Sequence, residues 1–225
     1  MSADATRKEV LATIVDTGVV AVIRMSDASR LNAVADALLE GGVRAIEVTM
    51  TVPNAVALIR DLSARVAADV IVGAGTVLDT DTAERVIDAG ARFVVSPVFR
   101  PHIIEECERR RIAVVPGCFT PTEILAAWDA GADIVKVFPA TALGPAFFKD
   151  VLAPLPQVRL MPTGGVTRDN AGDWIRAGAV AIGVGTALVD QRAVAEGRFD
   201  AITANARHFI AAVRNARPSS ATVGA

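Results

Sequence analysis

The chain has 225 residues, 52% hydrophobic and 21% charged, with a formal net charge of −2. That length suits one large domain or two small ones, and a near-neutral balance without a Lys/Arg cluster excludes a nucleic-acid face. Two cysteines (Cys107, Cys118) and two histidines (His102, His208) are too few and scattered for a disulfide framework or a His-based metal site, and no run approaches a membrane span.

Residues 6–16 read as a short leading helix, residues 19–24 (VVAVIR) as the first buried strand and residues 29–40 as a helix with apolar residues at helical spacing. The pattern then repeats: helix, glycine turn, apolar strand, loop, helix. Strands are expected to begin near Val19, Ala45, Val70, Arg92, Ile112, Asp133, Val158 and Val180, about 20 to 26 residues apart. The turn into the strand recurs as Gly41-Gly42, Ala89-Gly90-Ala91, Ala130-Gly131-Ala132 and Ala177-Gly178-Ala179, with glycine where a helix end favours the left-handed conformation.

The strands are nearly continuous apolar runs, as expected when both faces are covered. Eight β-then-α units without a linker predict a (β/α)8 TIM barrel with an extra N-terminal helix. We expect one domain over residues 1–216 and a disordered tail at 217–225. A doubly wound open sheet is the alternative, but no dinucleotide fingerprint follows the first strand. Thr120-Pro121-Thr122-Glu123 predicts a capping box, and a further helix is expected near Thr167. The final helix spans residues 199–215. His102 follows a proline at a helix start, where a surface capping role is expected. Trp128 and Trp174 fall on helix patterns and are expected in the core. Without an apolar signal core at its start, the protein is expected to be soluble and cytoplasmic.

The chain has three lysines, and one of them, Lys136, lies within the apolar strand Asp133-Ile134-Val135-Lys136-Val137-Phe138-Pro139. A buried ammonium without a partner lowers its pKa, and a neutral amine in a dry pocket attacks carbonyls. The alternative is a lysine that snorkels to the strand end or pairs with a carboxylate for structure alone. Alternation puts Ala45, Glu47 and Thr49 on one face of the second strand, and Ile134, Lys136 and Phe138 on one face of the sixth. If both faces point inward, Glu47 and Lys136 meet inside the barrel as a proton-shuttling pair, or else as a structural ion pair.

Barrels carry their sites at the carboxyl ends of the strands. The seventh strand ends in Thr163-Gly164-Gly165-Val166 and the eighth in Gly183-Val184-Gly185-Thr186. Bare main-chain N–H groups and helix N-termini in these loops suit a phosphate, although glycines also serve tight turns. Arg24 ends the first strand, where it suits a carboxylate or phosphate, or is simply solvated. Gly73-Ala74-Gly75-Thr76 keeps the floor open beside a hydroxyl. Pro97 and the Pro116-Gly117-Cys118 turn read as scaffold.

Glu47-Val48-Thr49, Gly73-Ala74-Gly75-Thr76, Ser96-Pro97, Pro116-Gly117-Cys118, Lys136-Val137-Phe138-Pro139 and Thr163-Gly164-Gly165-Val166 together resemble the 2-keto-3-deoxy-6-phosphogluconate (KDPG) aldolases, often bifunctional with 4-hydroxy-2-oxoglutarate (KHG) aldolase. The resemblance implies a homotrimer of (β/α)8 barrels using metal-free, cofactor-free class I chemistry on small keto acids and aldehydes. It implies Lys136 as the Schiff-base residue and Glu47 as the general acid/base. Thr76, Pro97, Phe138 and Thr163 would line a pyruvate pocket, with Thr49 and Arg24 also toward substrate, and Gly164, Gly165, Gly185 and Thr186 would hold phosphate. One position departs: where gluconate-type members carry an arginine four residues after the glutamate, this chain has Thr51. Arg24 and the Pro116-Gly117-Cys118 turn are closer to the 2-keto-3-deoxy-6-phosphogalactonate aldolases, and Arg24 is expected to supply the missing cation. The rivals are a phosphate-binding barrel without a Schiff base, such as a sugar-phosphate isomerase or thiamine-phosphate synthase, and a barrel kept as a binding module.

Overall fold

Each apolar run forms a parallel strand in a computed structural model that describes residues 3–218; of the expected tail, residues 219–225 lie outside this range. The strands are β1 (Val19–Ile23), β2 (Ala45–Thr49), β3 (Ile71–Gly75), β4 (Phe93–Val95), β5 (Ala113–Val115), β6 (Gly117–Cys118), β7 (Val135–Val137), β8 (Leu160–Pro162) and β9 (Ile182–Val184). The helices are α1 (Ala3–Thr17), α2 (Leu31–Glu40), α3 (Ala55–Arg65), α4 (Thr80–Asp88), α5 (Pro101–Arg109), α6 (Pro121–Asp129), α7 (Gly144–Leu152), α8 (Ala171–Arg176), α9 (Gln191–Ala195) and α10 (Phe199–Ala216). The strands curl in two parallel runs, ordered β5-β4-β3-β2-β1-β9 and β6-β7-β8.

All eight expected strands form, but the fifth is divided into β5 and β6 at Pro116, which has no N–H for the ladder. Across that break Lys136 N donates to Pro116 O (2.9 Å) and Asp133 N to Val114 O (3.2 Å). Between the other two ends a single bridge pairs Thr163 with Gly183, and Val180 N donates to Leu160 O at 3.0 Å.

Strand alternation divides the apolar residues into two clusters. The larger one, with Ile46, Val48, Val72, Val94 and Val135, packs outward against the helices. The smaller one, with Val20, Ala45, Phe93, Ala113, Ile134 and Met161, fills the space enclosed by the curl, and Val10 and Ile14 of α1 join it. The ring of Phe93 lies where a Cβ on Gly73 would sit, so that glycine makes room for the largest inner side chain. The expected leading helix thus covers one end of the strand assembly.

The capping box forms as expected: Glu123 N donates to Thr120 Oγ1 (3.3 Å) and Thr120 N to Glu123 Oε2 (2.8 Å). Three expectations are corrected. The helix expected near Thr167 begins at Ala171, because Thr167 N donates to Asn170 Oδ1 (2.8 Å) and Asn170 N to Thr167 Oγ1 (3.3 Å), closing a turn that competes with helix. His102 is exposed and meets Glu105 at 3.4 Å instead of capping α5, whose first turn starts with Pro101. Trp174 is buried edge-on against Phe148, with 5.1 Å between ring centroids, whereas Trp128 is only half-buried. Cys107 and Cys118 are free and buried, and desolvation pushes both thiols up to about 12, leaving them neutral. Among the described residues no helix is long and apolar enough to cross a membrane.

The C-terminal end of α1 meets the C-terminal end of α10. Arg217 donates to the carbonyls of Asp16 and Val15, and Thr203 of α10 donates to Ala37 O of α2 at 3.0 Å. At the end of α2 a Cβ on Gly41 would overlap Ala206 Cβ and approach Thr203 O to 2.9 Å. Gly41→Ala is therefore expected to destabilise the fold by about 1–3 kcal/mol through overpacking. Urea unfolding measures this, and an unchanged midpoint would show that α10 parts from α2 at no cost.

Candidate active site

Glu47 and Lys136 point inward from their strands, on the same faces as Ala45 and Ile134 of the inner cluster, and are 1% and 5% exposed. Room for the Glu47 carboxylate comes from Gly75, since any Cβ there would overlap Oε1. Glu47 Oε2 has no hydrogen-bond partner. The Lys136 ammonium lies 4.8 Å from the centroid of the Phe138 ring. The two side chains are close enough for each to feel the other's charge, yet among the described residues no ion pair joins them.

Desolvation dominates both groups. It raises the Glu47 carboxyl above the ordinary value, against the pull of Lys136 and Arg24. It lowers the Lys136 amine, with Arg24 pushing the same way and Glu47 opposing. Each group is thus moved toward its neutral form, the condition for an amine nucleophile beside a proton donor.

Phe138, whose ring faces the Lys136 ammonium, also lines a pocket with Arg24, Thr163, Gly164, Gly165, Gly185 and Thr186, together with Val22, Gly183 and Val189; Glu47 and Lys136 themselves are not among its lining residues. Thr163 Oγ1 is buried there without a partner, and Gly183 exists to admit it, since a Cβ would overlap that oxygen. Gly164 and Gly165 adopt φ of 83° and 77°, and a Cβ on Gly165 would come within 2.8 Å of Thr141 Cα. These two positions need glycine for conformation and for close approach. The main-chain N–H groups of Gly164, Gly165 and Thr186 donate to no group among the described residues. The free donors beside this pocket are thus loop amides, and the helix start expected near Thr167 is displaced to Ala171.

Three expected substrate-facing residues lie apart from this pocket. Thr49 is fully buried, and its hydroxyl is engaged with Ile23 O (3.1 Å) and Thr51 Oγ1 (2.7 Å), tying strand ends together. Thr76 follows β3 at φ 59°, an uncommon conformation for a β-branched residue. Pro97 is half-buried, with its carbonyl against the place a Gly117 Cβ would take. Sequence reasoning gave no role to Gly75 as the space for Glu47, or to Gly183 as the space for Thr163. The only signal was a glycine in strand register beside a larger partner: Glu47 pairs with Gly73, and Gly75 with Thr49. Among the described residues no cluster of three or more His, Cys, Asp or Glu could hold a metal ion.

A family model described as KDPG and KHG aldolase matches residues 10–205. A 2-dehydro-3-deoxy-phosphogluconate aldolase of Treponema pallidum is 38% identical over 190 residues, covering 83% of this chain and 87% of that protein. A probable 2-dehydro-3-deoxy-6-phosphogalactonate aldolase of Rhizobium meliloti is 36% identical, covering 78% and 88%. Among solved structures, the KDPG aldolase of Legionella pneumophila, with pyruvate captured as a covalent carbinolamine intermediate, superimposes with a TM-score of 0.82 at 28% identity, covering 88% of this chain and 96% of that one.

With three lysines in the chain, the Lys136 side chain can be followed individually by 13C NMR of the lysine Cε resonances. It is expected to titrate below the ordinary lysine value of about 10.4. Arg24→Ala should move the midpoint upward, because a cation that disfavours the ammonium is gone. A downward shift would contradict this electrostatic account.

Proposed function

We infer that this chain, which belongs to the KDPG and KHG aldolase family, is a class I aldolase that reversibly cleaves a 4-hydroxy-2-keto acid into pyruvate and an aldehyde. The observation that carries the reading is Lys136, buried with no ion pair among the described residues and beside a carboxyl that is itself raised toward its protonated form.

Lys136 attacks the C2 ketone, and Glu47 moves the protons as the carbinolamine loses water to form an iminium. The C4 hydroxyl gives its proton to Glu47, in its carboxylate form at this step, directly or through a water. The C3–C4 bond breaks, its electrons flow into the iminium to form the enamine, and the aldehyde leaves. The enamine takes a proton at C3, and water hydrolyses the resulting pyruvate iminium to free Lys136. Both neutral forms are needed at the start, and the apolar surroundings favour both. Thr163 Oγ1, buried and unpartnered, is suited to hydrogen-bond the keto-acid carboxylate, with Phe138 and Pro97 as apolar walls and Thr76 at the β3 end. Thr49 acts indirectly, by holding the end of β2 beside Arg24.

The unpaired amides of Gly164, Gly165 and Thr186, with Gly185, are suited to a phosphate on the aldehyde half. The substrate class is then a 2-keto-3-deoxy-6-phospho sugar acid, giving glyceraldehyde 3-phosphate, with 4-hydroxy-2-oxoglutarate giving glyoxylate as the unphosphorylated counterpart. The phosphogalactonate relative and Thr51 support the galactonate acid as the alternative. Arg24 faces the same pocket as Thr163 and acts on both catalytic charges, which supports it as the cation that replaces the family arginine.

The eight units are further proposed to close into a (β/α)8 barrel over a single domain, residues 1–216. The Thr163–Gly183 bridge, the bonds across Pro116 and the meeting of α1 with Arg217 support this reading. Exposed apolar Leu78, Val98, Phe119 and Leu125 support self-association, in line with the homotrimer the family resemblance implies, and a cytoplasmic site of action accords with free, buried cysteines.

Borohydride reduction in the presence of pyruvate, followed by peptide mass mapping, is expected to place a reduced pyruvyl adduct on Lys136. An unmodified chain under conditions that trap a known aldolase would reject the mechanism and favour a non-covalent phosphate-binding barrel enzyme. Lys136→Ala and Lys136→Arg should both abolish turnover, the latter because a guanidinium stays protonated. Arg24→Ala should raise KM for the keto acid about tenfold or more, the loss of one charge-assisted contact, while an adduct on Lys136 still forms at saturating pyruvate. An unchanged KM would remove Arg24 from substrate binding.

A further inference from the structure

We propose that Arg7 and Asp133 are a positioning pair for Lys136, acting through the break in the strand ladder next to it. The proposal rests on the Schiff-base reading of Lys136. The Lys136 ammonium has no hydrogen bond or ion pair among the described residues; its one close polar-aromatic contact is the Phe138 ring at 4.8 Å. Its position is therefore set by the main chain of β7 and by apolar packing. That main chain is held on one side by a regular ladder to β8, pairing Val135 with Leu160 and Lys136 with Met161. On the other side the ladder is interrupted at Pro116, and only the two-residue β6 pairs directly, Gly117 with Lys136.

Asp133 closes that weaker side. Its N–H donates to Val114 O at 3.2 Å, and its carboxylate Oδ2 accepts Val114 N at 2.9 Å. A side-chain oxygen thus does what a neighbouring strand carbonyl does elsewhere in the sheet. A carboxylate in that role needs to be fixed, and Arg7 grips it in a fork: Nε to both oxygens at 3.1 Å and Nη2 to Oδ2 at 2.8 Å. Nη2 also approaches Gly131 O at 3.5 Å, just before the strand. With side chains 20% and 12% exposed, the pair is much less screened than the other ion pairs that join separate elements, such as Arg65–Asp36 at 39% and 60%. Arg7 and the Val10 and Ile14 side chains that close the inner cluster belong to the same helix, α1. One helix therefore both clamps the start of the lysine strand and covers the apolar interior beneath the amine.

Arg7→Met keeps the length and apolar stem of the side chain and removes the fork; Asp133→Asn keeps an acceptor for Val114 N and removes the charge. Both are measured well below their melting temperatures, with the folded fraction checked by circular dichroism. A shift of the amine by a fraction of an ångström is expected to lower kcat about tenfold and to slow borohydride-trapped adduct formation by a similar factor, with KM changed less than about twofold. Arg7→Lys, which restores the charge without the fork, should recover part of kcat. If both folded variants melt earlier but keep wild-type kcat and trapping rate, the pair is structural only and the proposal is overturned. If Arg7→Met fails to fold, Asp133→Asn decides alone by the same criteria. Absence of an adduct in the wild type would instead overturn the Schiff-base reading itself, so the two failures are distinguishable.

Discussion

Taking an ammonium out of water into an apolar interior costs several kcal/mol unless a counter-ion or a change of protonation relieves it. In this chain burial works toward the second, lowering the Lys136 amine against the opposing charge of Glu47. Glu47 answers in the same way, with one carboxylate oxygen left without a partner. Burial disfavours the charged form of each group, and it outweighs the support each draws from the other's opposite charge. The surroundings make that burial possible: apolar residues fill the inside of the curl, and the absence of a Cβ on Gly75 makes room for the carboxyl.

The regularity of the sheet follows the chemistry. The strands β1 to β5 and β9 pair in one continuous parallel run. The ladder weakens at two places, at Pro116 beside Lys136 and at the single bridge between Thr163 and Gly183. Both lie at the site. A broken ladder frees main-chain and side-chain polar groups from pairing with one another, and here Thr163 Oγ1 and the amides of Gly164 and Gly165 have no partner among the described residues. The same irregularity needs compensation, and near Lys136 that comes from the carboxylate of Asp133.

Much of this was legible in the chain itself. The eight strand positions, the inward faces of Glu47 and Lys136, the capping box and the two glycine loops all follow from local rules: alternation, helix periodicity and the conformational demands of glycine. Thr167 and Trp128 show where such rules stop. A helix start was expected at Thr167, but its side-chain exchange with Asn170 wins over helix for four residues. An aromatic on a helix pattern was expected in the core, yet how deep Trp128 lies depends on neighbours that its own helix does not specify.

The sequence by itself determined the order of strands and helices, which residues face inward and the presence of an amine where an apolar side chain is expected. Tertiary structure alone decided that no ion pair joins Lys136 and Glu47 among the described residues, that Thr49 turns to Ile23 and Thr51 while Thr163 Oγ1 has no partner among them, and that Arg7 reaches Asp133 across 126 positions of sequence. The reason is physical: alternation and propensity fix directions within a strand, whereas distances between side chains on different strands depend on how the sheet curls and where its ladder breaks.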